Sequence, residues 1–362
     1  MAGKHTGQGR NMKIAFTADV HLRTAAESID KYNALKDILQ KMIDTEINIL
    51  VIAGDLFDKQ FTSYEEFENF CRGYQNIGIE FHIIPGNHDP GLKSGSFAAD
   101  NIIVYDKTKL VNFEDSRLPV LFVPYREGKT IGEEIAPCKK NLEPDGWILA
   151  AHGDWLGSSI EPNPIEPGTY MPLTKKDLLI YKPARVVLGH IHKPLDTNNL
   201  HYSGSPVGLD INETGKRRYL SLDLRNNNLE TRTVNTDVLY FNPILHIYPM
   251  EIEKTYLEDQ ISGTIDGWDL TEEEIKKTKI RIKISGYTSD KKALNVVIEN
   301  SFKKFNNIDT KIDLSGVYLA DNYELNEISK KVINHIENLD LDKNLPVKDE
   351  IILSALKTIY GG

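Results

Sequence analysis

KIAFTADVHL, residues 13–22, is an apolar run that ends abruptly in Asp19-Val20-His21. A short apolar run bounded by polar residues is the mark of a buried strand. Comparable runs recur as INILVIAG (47–54), IEFHIIPG (79–86), PVLFVP (119–124), WILAAHG (147–153) and ARVVLGH (184–190). Amphipathic stretches separate several of them. Over 28–44, Ile29, Tyr32, Leu35, Ile38, Leu39, Met42 and Ile43 fall on one helical face. Strand–helix alternation predicts a layered α/β domain. RRYLSLDL (217–224) and LETRTVN (229–235), joined by Arg225-Asn226-Asn227-Asn228, predict a hairpin that closes a second sheet.

Near residue 240 the pattern changes. NPILHIYP (242–249), KIRIKISGY (279–287) and TKIDL (310–314), with helical stretches at 251–262 and 289–305, read as a small β-α-β-α-β domain. Two amphipathic segments follow, one carrying Leu325, Ile328, Val332, Ile333, Ile336 and Leu339, the other Ile351, Ile352, Ala355, Leu356 and Ile359. Pro346 marks the joint between them. Two helices alone bury too little to stand free, so they are expected to dock on this chain or on a partner. The expected divisions are therefore a flexible leader at 1–11, a main domain at 12–240, a small domain at 241–318 and a helical segment at 319–362.

A chain of 362 residues suits one large domain with appendages, and 40% hydrophobic with 27% charged residues excludes collagen-like and wholly disordered chains. No run approaches the roughly 18 apolar residues of a membrane span, so no membrane association is expected. The first eleven residues lack the apolar core of a secretory signal. Cys71 and Cys138 are expected as free thiols in a reducing cytoplasm. With 43 basic and 53 acidic residues the net charge is −10, the wrong sign for a protein that merely coats a polyanion. A cation-holding site can still act on phosphates, because bound metals invert the local field.

The residues that carry chemistry stand immediately after the predicted strands. They are Asp19-Val20-His21, Gly54-Asp55-Leu56-Phe57-Asp58, Gly86-Asn87-His88-Asp89, His152 and Gly189-His190-Ile191-His192. Strand carboxyl ends are where open α/β folds bind ligands, so five such tips can converge on one site. Five of the ten histidines lie in these motifs, a concentration that packing does not account for. Asp-x-His and His-x-His put ligands at i and i+2, which share one side of an extended chain. Carboxylate, imidazole and an Asn carbonyl, without thiolate, suit Mn²⁺, Fe²⁺ or Zn²⁺. Asp19, His21, Asp55, Asn87, His152, His190 and His192 over-supply one ion. They fit two, and pairs about 3.5–4 Å apart stabilise both oxygens of a phosphoryl displacement. The glycines before Asp55, Asn87 and His190 allow sharp turns. His82, His201, His246 and His335 stand outside the motifs and read as ordinary hydrogen-bonded histidines.

In this order, the five motifs resemble the calcineurin-like metallophosphoesterase signature over roughly residues 12–225. TADVHL, GDLFD, GNHD, AHG, GHIH and Tyr202-Ser203-Gly204-Ser205-Pro206 are similar to the DNA-repair nucleases of the Mre11/SbcD type. The protein phosphatases of the superfamily carry Arg-Gly after the second aspartate; here Lys59-Gln60 follows Asp58. The resemblance implies a two-sheet core with helices outside, an α/β capping domain and a C-terminal helix pair. It implies two divalent ions, Mn²⁺ by family preference, one on Asp19, His21, Asp55 and His192, the other on Asp55, Asn87, His152 and His190. His88 would serve the leaving oxygen as proton donor or charge stabiliser, oriented by Asp58. It further implies a DNA exo- and endonuclease of a double-strand-break repair complex. The expected partners are DNA, a Rad50/SbcC-type ATPase docked on the C-terminal helices, and a second copy of the chain.

Gly128-Lys129-Thr130 imitates a phosphate-binding loop, but Val123 stands where that loop needs glycine. Arg23, Lys93, Arg126, Lys193, Arg217 and Arg218 fall in or near predicted loops, where they could hold a phosphate backbone or simply be solvated. Two rival readings follow from the same residues. One is a phosphodiesterase for a small substrate such as a cyclic nucleotide, since fold and metals do not dictate substrate. The other is a scaffold that bridges DNA ends and an ATPase, for which His88 would be superfluous.

Overall fold

The computed structural model describes residues 12–59, 63–157, 168–250, 253–305, 307–308, 312–340 and 348–361. The expected leader, Gln60 and the joint at Pro346 lie outside them. By its internal contacts the chain divides into two compact units, one of Met1–Leu209 with Lys216–Asp237, the other of Asp210–Gly215 with Val238–Gly362. Among the described residues, no helix is long and apolar enough to cross a membrane. Cys71 and Cys138 are free thiols.

The first unit runs β1 (Lys13–Thr17), α1 (Ile29–Asp44), β2 (Ile49–Ala53), α2 (Tyr64–Arg72), β3 (Glu80–Ile84), β4 (Ile102–Val104), β5 (Lys109–Val111) and β6 (Val120–Val123). It continues with α3 (Ile131–Ile135), β7 (Ile148–His152), α4 (Lys175–Tyr181), β8 (Arg185–Gly189), β9 (Leu195–Thr197), β10 (Leu200–Tyr202), β11 (Arg217–Asp223) and β12 (Leu229–Val234). These strands form two six-stranded sheets, ordered β12-β11-β1-β2-β3-β4 and β5-β6-β7-β8-β10-β9. Strands β1 to β4 are mutually parallel, as are β6, β7, β8 and β10. Their continuous apolar sequences follow from being covered on both faces. Ile14, Phe16, Val51 and Ile84 of one sheet pack with Val120, Phe122, Ile148 and Val187 of the other. The outer face of the first sheet packs on Leu35, Ile38, Leu39 and Met42 of α1 and Phe67 of α2. That of the second packs on Ile131 and Ile135 of α3. The result is a layered α/β core with helices outside, as the sequence predicts.

The hairpin does not close the second sheet. β11 pairs antiparallel with β1, Phe16 opposite Leu220, and so extends the first. The second sheet is completed by β10 and β9, each three residues long and without an extended apolar run to announce it.

The second unit contains β13 (Leu239–Phe241), β14 (Ile244–Ile247), α5 (Glu253–Gly267), α6 (Glu272–Lys277), β15 (Thr278–Ile280), β16 (Lys283–Thr288), α7 (Lys291–Ser301), β17 (Asn307–Ile308), β18 (Asp313–Leu319), α8 (Tyr323–Glu337) and α9 (Lys348–Tyr360). KIRIKISGY is two strands in two sheets, β13-β15-β17 and β14-β16-β18. Ile280, Ile282 and Ile284 are all buried in one core, so the apolar alternation runs unbroken across the point where the chain changes sheet. Ile333 and Ile336 of α8 and Ile352 and Leu356 of α9 cover Tyr248 and Tyr287 of the same unit.

Candidate metal centre

All the motif residues leave the carboxyl ends of β1, β2, β3, β7 and β8. The loops after β1 and β2 run on as a narrow ladder, with Asp19 N–H donating to the Gly54 carbonyl (3.0 Å) and His21 N–H to that of Asp55 (2.9 Å). Asp19, His21, Asp55 and His190 have φ of 55°, 51°, 51° and 102°, a region that side-chain-bearing residues rarely occupy. Backbone of this kind persists only where its surroundings enforce it, and it clusters at functional sites. It also corrects the expectation of extended Asp-x-His and His-x-His segments. Left-handed turns aim these side chains, and His190 and His192 point to different groups.

One group is Asp19, His21 and His192; a second is Asp55, His152 and His190; a third set, His21, Asp55 and His88, overlaps both. The His21 and His192 Nε2 atoms face each other at 3.1 Å. Asn87 Oδ1 lies 2.8 Å from His152 Nε2 and 3.1 Å from His190 Nδ1. Asp55 stands between the groups, its Oδ2 3.7 Å from His21 Nε2 and 3.4 Å from His152 Nε2, while its Oδ1 accepts from His88 N–H (2.8 Å). His152 Nδ1–H donates to the Ala53 carbonyl (2.9 Å), so that Nε2 faces Asp55 and Asn87 and offers them a lone pair once its own proton is lost. Lone pairs of imidazole, carboxylate and amide oxygen crowded together repel unless positive charge sits among them. The donor set thus fits divalent cations.

The electrostatics agree. Burial works to hold both charges off the Asp55–His152 pair, but their mutual attraction wins, lowering the Asp55 carboxyl and raising His152 to about 9. Burial pushes Asp19 up to about 6 against the pull of His192 and His152, and pushes His21 down to about 3 despite Asp55. The pocket favours positive charge beside Asp55 and keeps the His21 nitrogens available as ligands.

His88 is arranged differently. Its Nδ1–H donates to Asp58 Oδ1 (3.1 Å), while the other carboxylate oxygen accepts from Arg23 Nε (2.8 Å). Burial would raise Asp58, yet the hydrogen bonds from Arg23 and His88 hold it below the ordinary carboxylate range. An ionised Asp58 fixes the His88 tautomer by holding its proton on Nδ1.

Several further residues support these groups. The Asp89 carboxylate accepts from Gly86 N–H (2.7 Å) and Phe57 N–H (3.1 Å), tying the third motif to the second. Asp154 Oδ1 lies 3.6 Å from His190 Nε2, and its other oxygen accepts from Tyr170 N–H (2.6 Å). The Tyr170 ring lies over His190, with centroids 4.8 Å apart. Asp89 was legible as part of Gly86-Asn87-His88-Asp89; Asp154, two residues after His152, carried no signal. Of the glycines before Asp55, Asn87 and His190, only Gly54, at φ 93°, needs a glycine's conformational range; a Cβ on Gly86 or Gly189 would instead meet Asp55 Oδ1 at 2.1 Å or the Ala53 carbonyl at 2.0 Å. Close approach, more than turning, requires those two.

The remaining histidines keep ordinary partners: His82 with Tyr105, His201 with Asp196, His246 with Ser285. His335 is exposed on α8. Thr130, in the phosphate-loop imitation, caps α3. Of the six basic candidates, Lys93 and Lys193 are exposed. Arg23 is engaged with Asp58, Arg126 with the Asp106 carbonyl and Arg218 with Asp196; Arg217 is buried.

Comparison with known proteins points the same way. The calcineurin-like phosphoesterase family profile matches residues 12–216. The SbcD subunit of the nuclease SbcCD of Staphylococcus epidermidis is 28% identical, over 70% of this chain and 75% of that protein.

Proposed function

Because the chain belongs to the calcineurin-like phosphoesterase family, whose members hydrolyse phosphoester bonds, we propose that it is a two-ion, Mn²⁺-using DNA phosphodiesterase. We assign one ion to Asp19, His21, Asp55 and His192 and the other to Asp55, Asn87, His152 and His190. The observation that carries this reading is the placement of Asp55 Oδ2 within 3.7 Å of His21 Nε2 and 3.4 Å of His152 Nε2. One carboxylate oxygen is thus available to both groups. Bound there, the cations would activate water for attack and neutralise charge on the phosphate.

The protein's own groups do the rest. Asp58 holds the His88 ring through Nδ1 and supports its imidazolium form, whose Nε2–H would present a proton to the leaving oxygen. Arg23 fixes the second oxygen of Asp58 and keeps it from turning away from His88. Asp89 holds the loop that carries Asn87 and His88 against the Asp55 loop. Burial of Asp19, Asp55 and His152 excludes bulk water from the ligand ring and strengthens every interaction inside it.

The relative's name makes it part of a nuclease, which favours DNA over a small phosphodiester. On that basis we assign the chain to an exo- and endonucleolytic complex of double-strand-break repair, with an SbcC-type ATPase as partner. Residues 241–318 would act as the capping domain, with α8 and α9 beyond it the segment facing that partner. The test compares Mn²⁺-dependent turnover of linear duplex DNA, single-stranded DNA, a cyclic nucleotide and a small aryl phosphodiester. Cleavage of DNA abolished by Asp55→Ala is expected; turnover of the cyclic nucleotide alone would replace this reading with a small-substrate one.

A further inference from the structure

Two buried cations stand behind the Asp19 group, and the proposed chemistry does not use them. Lys31 on α1 is 8% exposed, and its ammonium donates to the His21 carbonyl. Arg217, the first residue of β11, is 2% exposed, and its Nη1 donates to the His192 carbonyl at 3.0 Å. That carbonyl also accepts from Ser205 N–H at 3.1 Å, and Ser205 Oγ lies 3.4 Å from Arg217 Nη1. His21 and His192 are the two imidazoles that face each other across the Asp19 group. Cations from two separate elements therefore grip the main chain of both histidines. His152, in the other group, is held through its ring by the Ala53 carbonyl.

Burying lysine and arginine is costly, so a gain must offset it. Attraction for metal is not that gain, because a fixed positive charge near a cation site weakens cation binding. A gain that the contacts themselves show is geometric. Hydrogen bonds from charged donors are roughly twice as strong as neutral ones, enough to hold His21 at its left-handed φ of 51°. We propose that Lys31 and Arg217 are positioning residues that set the spacing of His21 and His192, and so determine the affinity of the Asp19 group for its ion independently of the Asp55 group. The proposal rests on the two-ion reading.

The experiment titrates the metal-free full-length chain with Mn²⁺, followed by calorimetry and by electron paramagnetic resonance, for wild type, Lys31→Met and Arg217→Lys. Lys31→Met keeps the stem and removes the charge; Arg217→Lys keeps the charge and removes the fork. Wild type should take two ions and give a spin-coupled spectrum. Each variant should lose about 10–100-fold in affinity at one site only, in the range seen when residues supporting metal ligands are removed. At sub-saturating Mn²⁺ its spectrum should be that of an isolated ion. If Arg217→Lys does not fold, Ser205→Ala loosens the same clamp and should give a smaller loss at the same single site. Variants that bind both ions as wild type does, or that weaken both sites equally, overturn the proposal and leave the two-ion reading intact. A wild type that takes one ion overturns both.

Discussion

Gly54→Ala tests whether the strand ends are packed as tightly as the ligand geometry requires. A Cβ at Gly54 would lie 2.0 Å from His152 Nδ1, 2.5 Å from Cγ and 2.8 Å from Cβ of that residue, whereas ordinary contacts begin near 3.4 Å. The ring must retreat by more than an ångström, which breaks its 2.9 Å hydrogen bond to the Ala53 carbonyl and withdraws Nε2 from Asp55 and Asn87. Overpacking of this kind costs about 1–3 kcal/mol, and forcing alanine to φ 93° costs a similar amount.

The expected loss is about 2–6 kcal/mol, a large share of the 5–15 kcal/mol typical of a folded protein. Gly78→Ala is the control. Gly78 has φ 81°, but nothing lies within 4 Å of the place a Cβ would take there, so only the backbone cost of about 1–2 kcal/mol should appear. Urea denaturation of the metal-free forms reads stability, and calorimetric titration with Mn²⁺ reads the site. Gly54→Ala should lose both stability and affinity; Gly78→Ala should lose a little stability and no affinity. Equal midpoints and equal Mn²⁺ binding in the two variants would refute the packing argument.

His88→Ala should keep both ions and cut DNA hydrolysis about 10²–10⁴-fold, measured by metal content and single-turnover cleavage; loss of metal would make His88 a ligand. Asp89→Ala strands the Gly86 and Phe57 N–H groups and should cost about 1–3 kcal/mol for each in chemical denaturation. An unchanged midpoint would mean that the two loops are tied elsewhere. Mn²⁺ affinity should rise with pH. His152, raised to about 9, holds a proton at pH 7 that the cation must displace, so between pH 7 and 9 affinity should climb about tenfold per unit. Below pH 6 the slope should steepen as Asp19, raised to about 6, protonates too. Titrations in buffers of different ionisation enthalpy would count the released protons, and pH-independent affinity would sink the ligand role of His152.

The cluster of candidate ligands was legible because each motif is short and sits where a buried strand stops. Asp19-Val20-His21 or Gly189-His190-Ile191-His192 can be read without knowing what lies opposite. Its supports, Asp89 apart, were not, because they depend on pairs remote in the chain. Lys31 looks like any helix-surface lysine among Ile29, Tyr32 and Leu35, yet its ammonium turns in to the His21 carbonyl. Asp154 meets His190 thirty-six residues on only because β7 and β8 are neighbours, His152 opposite Gly189. The second unit was less legible for a related reason. An alternation such as Ile280, Ile282, Ile284 reports burial and not which sheet does the burying.

The misplaced hairpin shows how much function follows from topology. Parallel strands deliver all their carboxyl ends to one rim, and every candidate ligand leaves β1, β2, β3, β7 or β8, all of them parallel members of the two sheets. An antiparallel neighbour brings its amino end to that same rim. With β11 set against β1, Phe16 opposite Leu220, the register carries Arg217 past the end of β1 towards the loop of Asp19 and His21. Assigned to the second sheet, Arg217 reads as a loop cation available to a phosphate backbone. Placed beside β1, it enters the protein at the candidate metal centre and can reach the His192 carbonyl. A single strand assignment thus separates a surface contact from a buried clamp, and the Mn²⁺ affinities of the two sites in Arg217→Lys distinguish the two roles directly.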